Sequence, residues 1–123
     1  MLKYEDLLTV PWKSKGRNIN KGLDCYGLVL ELCRRNGTPL IDITEQPPYT
    51  DNSLQSIQTE VNLKKIQTPS KGCIMQCFWE GVLHVGFMLD AKTVIHMTDK
   101  GARTAPVFVF NNPQFYEVMP WQK

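Results

Sequence analysis

The spacing of apolar residues changes period at Pro69-Ser70-Lys71-Gly72, and that change constrains the fold more than any other feature of the chain. Upstream, Leu28, Val29, Leu32 and Cys33 recur at helical spacing. Asp24 is a suitable N-cap for that stripe, Arg34 and Arg35 fall in its last turn, and Asn36-Gly37 followed by Pro39 stops it. A helix is therefore expected over about 24–36. Two weaker helices are expected. One covers residues 3–9, with Leu7 and Leu8 as its apolar side and Pro11 ending it; the other covers 53–63, capped by Ser53, with Leu54, Ile57 and Val61 inward. Downstream of Gly72 the period shortens to that of strands. Residues 73–79, 82–89 and 93–98 read as strands joined by turns at Glu80-Gly81 and Asp90 to Lys92, and 107–110 and 115–119 read as two more. Helices first and antiparallel strands after make the class α+β: N-terminal helices packed on a C-terminal antiparallel sheet of about five strands. A chain of 123 residues fits a single domain over 1–123.

Composition narrows the function classes. Fourteen basic against twelve acidic residues is too even a balance to suggest nucleic acid, and Arg34-Arg35 and Lys64-Lys65 read as solvated faces. No apolar run approaches the ~18 residues of a membrane helix. The start, Met1-Leu2-Lys3-Tyr4-Glu5-Asp6, lacks the form of a secretory signal, so a chain made and kept in the cytosol is expected, unless something else carries it out. Cys25, Cys33, Cys73 and Cys77 are then expected as reduced thiols. Cys73 and Cys77 would share a strand face about 13 Å apart, too far to hold one zinc ion. No metal and no organic cofactor is expected.

One thiol stands apart. Cys25 directly follows the proposed N-cap, where backbone N–H groups lack helical partners and the helix dipole favours negative charge. A lowered thiol pKa is expected there, and the same N–H groups suit an oxyanion. Gly22 and Gly27 flank the site and are expected to leave room for a substrate backbone. Cys33, on the apolar stripe, reads as core. Only two histidines are available as a base, His84 and His96, both in strands. A three-residue turn at Asp90 to Lys92 sets His96 opposite Gly86. It then lies on the same face as His84, one diagonal step away, with space left by the glycine. A two-residue turn would send the rings to opposite faces. The catalytic reading thus demands an odd-length connection, with His96 fixing the tautomer and orientation of His84.

Three stretches together resemble the NlpC/P60 family of cysteine peptidases. Gly22-Leu23-Asp24-Cys25-Tyr26-Gly27-Leu28-Val29 is similar to the family's nucleophile segment, Leu83-His84-Val85-Gly86-Phe87-Met88-Leu89 to its base strand, and Val94-Ile95-His96-Met97 to the strand that completes the triad. The likeness runs from about Pro11 to Tyr116. The order Cys, His, His differs from the permuted acyltransferase relatives. Tyr26, and Val10-Pro11-Trp12 followed by Gly16-Arg17, resemble the branch found in phage tail assembly and tail-tip proteins. Trp12 stands where the family usually has a tyrosine near the active site, and Cys73 follows Gly72 where an aspartate is common.

The resemblance implies a papain-like fold and an amidase or endopeptidase that cuts peptide bonds of peptidoglycan stems. Cys25 would be the nucleophile, His84 the base and His96 the orienting residue. Asp24 and Trp12 are the substrate-binding candidates, although the N-cap role suits Asp24 better. The implied partners are a peptidoglycan peptide and phage tail proteins. Two alternatives stay open: a non-catalytic structural or interaction module of a tail or secretion apparatus, and an enzyme acting on a different amide.

Overall fold

Asp24 sets the start of the main helix, α1 (Cys25–Arg35), by accepting the N–H of Gly27 at 2.7 Å on Oδ1, as an N-cap should. The far end closes through Gly37, whose φ of +77° suits a residue without Cβ. The N–H of Thr38 donates to the Cys33 carbonyl and that of Gly37 to the Arg34 carbonyl, the paired bonds that end helices of this kind. The expected helix over about 24–36 is borne out. The computed structural model describes residues 2–40, 62–79 and 81–119.

Ahead of α1 lie a 3-10 helix, Glu5–Thr9, and a small antiparallel ribbon of β1 (Arg17–Asn18) and β2 (Gly22–Leu23). The segment expected as a helix over 3–9 is thus a shorter, tighter turn without a side-chain cap. It is tied to α1 by Arg35, whose guanidinium meets both carboxylate oxygens of Asp6 at 2.7 and 2.9 Å while its Nε donates to Glu31 at 2.7 Å.

After α1 comes an antiparallel six-stranded sheet built from β3 (Leu63–Ile66), β4 (Ile74–Trp79), β5 (Val82–Met88), β6 (Thr93–Thr98), β7 (Gly101–Pro106) and β8 (Gln114–Val118), in the spatial order β3-β8-β4-β5-β6-β7. Two strands of this sheet were not expected. β3 opens at Leu63, the last residue of the helix expected over 53–63; Asn62 is a turn, and the rest of that segment lies outside the described residues. Lys64 and Lys65 are exposed on this edge strand, where charge blunts unwanted pairing. β7 is the other edge, and its sequence Gly-Ala-Arg-Thr-Ala-Pro lacks the apolar alternation that announces a strand. The strand expected over 107–110 is instead a 3-10 turn, Val107–Val109, begun by Pro106, which can donate no ladder bond.

The sheet is buried on both faces. Leu28, Val29, Leu32 and Cys33 of α1 pack with Ile74, Val85, Phe87, Ile95, Met97 and Tyr116 on one. Cys73, Met75, Cys77, Met88, Val94, Phe110 and Phe115 form a second cluster on the other. Burying a side chain such as Leu28 or Phe87 contributes about 1.5–3 kcal/mol, so α1 is firmly seated on the sheet. No helix among the described residues is long and apolar enough to cross a membrane.

Candidate active site

The loop before α1 determines how Cys25 is presented. Leu23 exchanges backbone bonds with Pro11 and Lys13, at 3.0 and 3.1 Å. Arg17 Nη1 donates to Asp24 Oδ1 and to the Gly16 carbonyl, each at 2.7 Å. The expectation that Gly22 and Gly27 leave room for substrate is overturned. A Cβ at Gly27 would collide with the Gly16 carbonyl, and one at Gly22 would lie 2.6 Å from Lys13 Cβ. Both spaces are filled by the chain's own loop, which is thereby pressed onto the first turn of α1.

Sheet register positions the histidines. Gly86 pairs with His96, Phe87 with Ile95 and Met88 with Val94, the register of the three-residue turn. His84 and His96 therefore share a face, and His84 Nε2 lies 3.0 Å from His96 Nδ1 with the rings nearly perpendicular. Both are buried, at 6% and 3% exposure. Gly86 makes the approach possible, because a Cβ there would come within 2.6 Å of Val94 Cγ2 and 3.3 Å of His96 Cβ.

The β5–β6 ladder ends at that glycine. N–H groups on β5 alternate in direction: Met88 donates to Cys73 and Leu89 to Thr93. By the same alternation Val85 directs its N–H toward β6, beyond the last paired residue. Hydrogen bonding from the Val85 N–H, and after it from the N–H groups of Tyr26 and of Cys25 itself, favours the ionised sulfur of Cys25. Cys25, from the front of α1, thus reaches the sheet at the residue following His84. Cys77, opposite His84 on β4, is a second thiol nearby; burial, and then the proximity of Cys25, push it up to about 11.

Burial dominates the electrostatics and reverses one expectation. The Cys25 thiol is raised, not lowered: loss of solvent is the largest cause, the hydrogen bond from Val85 opposes it, and the Asp24 carboxylate adds to it. Burial, reinforced by His96, pushes His84 down to about 4, and burial also lowers His96. At neutral pH the resting groups are a thiol and two neutral imidazoles. All four cysteines are free, and Cys33 is fully buried in the core, as expected. Among the described residues, no group of three or more His, Cys, Asp or Glu side chains is placed to hold a metal ion.

Two aromatic residues that sequence reasoning missed enclose the imidazoles. Trp79 stacks on His84 at 5.8 Å between ring centroids and meets His96 edge-on at 5.2 Å; Phe110 lies 5.1 Å from each of Trp79 and His96. Trp79 was findable, since it follows Cys77 by two residues and so shares its strand face. Phe110 was not, because it follows the 3-10 turn that replaces the expected strand. Trp12, Trp79, His84, Met97, Thr98 and Asp99 line a cleft of about 270 Å³ that opens on His84. Trp12 is therefore at the site, whereas Asp24 spends Oδ1 on Gly27 and Arg17.

This architecture has a solved counterpart. The crystal structure of the NlpC/p60 domain of the peptidoglycan hydrolase SagA superposes with a TM-score of 0.59, over 94% of this chain and 92% of that one, at 19% sequence identity. The fold is that of an NlpC/p60 domain. No protein-family model matches the chain, and no curated protein matches it. At this identity the NlpC/p60 likeness establishes the fold alone, and the chemistry rests on the residues described above.

Proposed function

We propose that this chain is a cysteine hydrolase that cuts peptide bonds of peptidoglycan stem peptides, with Cys25 as nucleophile, His84 as base and His96 as the residue that orients the base. The observation that carries this reading is the pairing of His84 Nε2 with His96 Nδ1 at 3.0 Å, beside a backbone donor, Val85, aimed at the Cys25 sulfur. The NlpC/p60 fold, shared with a domain of a peptidoglycan hydrolase, supports the substrate class.

The pair accommodates the tautomer that catalysis needs. If His84 donates Nε2–H to His96, its Nδ1 carries the lone pair that takes the thiol proton. Cys25 sulfur then attacks the carbonyl carbon, and N–H groups at the front of α1 meet the oxyanion. The Nδ1–H of His84 passes its proton to the leaving amine as the C–N bond breaks. A water molecule deprotonated by His84 attacks the thioester, releasing the acid and restoring the thiol. Because both groups rest neutral, the ion pair forms during the reaction rather than before it. Trp12 is the substrate contact from the N-terminal side.

The Val10-Pro11-Trp12 and Gly16-Arg17 stretch supports a finer reading, in which the domain works in a phage or prophage tail and opens the wall locally. The raised Cys25 thiol favours a second reading, a non-catalytic module of the same apparatus. Purified wall fragments, incubated with the protein and with a Cys25→Ala control and read by mass spectrometry, separate the two. Hydrolysis of a stem bond by the wild type alone supports the hydrolase; no new fragments with either protein supports the module.

A further inference from the structure

Trp79 has two sides. One faces the histidine cleft. The other lines a separate groove of about 320 Å³ with Phe78, Val109, Phe110 and Asn111. Phe78 is 71% exposed and Val109 52%, unusually open for apolar residues next to a reactive centre. Among the described residues that line it, the groove carries no charged side chain, and its one side-chain amide is that of Asn111.

We infer that this groove binds the glycan of the substrate, namely an N-acetylated amino-sugar ring of the strand that bears the stem peptide. The inference rests on the peptidoglycan reading above. The substrate has two chemically different parts. The stem carries carboxylates and amines, from glutamate and a diamino acid, and these call for charged partners. The glycan offers apolar C–H faces, acetamido methyl groups and amides, which suit open aromatic faces beside one amide side chain. Continuity supports the assignment, since Trp79 walls both spaces and a ligand in one abuts a ligand in the other. Two residues of extended stem reach about 7 Å, enough to pass from one side of an indole to the other.

The first test is binding. Wild-type protein labelled with nitrogen-15 is titrated with the disaccharide of N-acetylglucosamine and N-acetylmuramic acid, which contains no peptide to cut. Amide shifts confined to Phe78 and to residues 109–111 are expected; none there at millimolar sugar overturns the inference. The second test is kinetic, comparing one stem peptide free and attached to the disaccharide. A preference of about tenfold in kcat/KM for the attached stem is expected, and Phe78→Ser with Val109→Ser should abolish it while leaving free-stem cleavage unchanged. Equal cleavage of both substrates by the wild type overturns the glycan subsite and leaves the hydrolase standing. Cleavage of neither, with shifts present at the groove, overturns the hydrolase and leaves the subsite.

Discussion

Hydrogen bonding from the backbone N–H of Val85 favours the ionised sulfur of Cys25, and Val85 lies just beyond Gly86, the last residue of β5 that pairs with β6. The helix dipole and this donor favour a thiolate, yet burial outweighs both, and the thiol stands above its ordinary range. Alkylation of Cys25 by iodoacetamide in the resting protein should therefore climb with pH and reach half its limit above about 8.5, the value of an ordinary cysteine. A plateau already present at about pH 6 would mean that a thiolate–imidazolium pair exists before substrate arrives. The pH profile, with labelling at Cys25 located by mass spectrometry, decides the matter.

In the proposed mechanism His96 acts through His84. His96→Ala should lower kcat by about 10²–10⁴-fold, the range for losing a positioned acid–base function, with KM little changed. His96→Gln keeps an acceptor for the Nε2–H of His84 and should recover part of the loss. Equal damage from both substitutions, with KM rising in step, would point to a packing role instead.

The buried histidines also make stability depend on pH. His84 titrates at about 4 when folded, whereas a free imidazole titrates at 6.5, so between these values the unfolded chain binds more protons than the native one. Stability is full above about 6.5 and is lost as pH falls toward 4, by roughly 3 kcal/mol for this group. Urea midpoints measured from pH 7.5 to 4.5 should fall accordingly, and His84→Phe should flatten the slope. An unchanged slope in that variant would place the proton uptake elsewhere.

Gly86→Ala tests the close approach. The added methyl meets Val94 and His96, forcing β6 outward or the His96 ring aside. A stability loss of about 1–3 kcal/mol is expected from overpacking, together with a fall in kcat larger than that loss alone explains. Wild-type turnover in this variant would show that the β5–β6 spacing tolerates change.

Arg35 offers the opposite case. Its bidentate pair with Asp6 and its bond to Glu31 fasten the N-terminal 3-10 helix to α1, far along the helix from Cys25. Arg35→Ala should cost about 1 kcal/mol in urea unfolding and leave kcat near wild type. A matching loss of turnover would mean that the anchor also sets the position of Cys25.

Much of this was legible in the chain. The cap at Asp24, the stop at Gly37 and the Gly86–His96 register follow from short-range rules that tertiary context did not override. The missed parts have physical causes. β7 hid because an edge strand does not need two apolar faces, and β3 because its basic pair reads as a solvated face. The thiol's direction was misjudged because a dipole can be read from position whereas depth of burial cannot. Arg17 could not be assigned, since nothing local ties a loop arginine to a carboxylate seven residues on.

The strand that carries His84 also holds, through its very next peptide, the atom that steadies the nucleophile's sulfur. In the proposed mechanism, base and anchor are covalent neighbours. On that mechanism, whatever displaces β5 at these two residues displaces both roles at once.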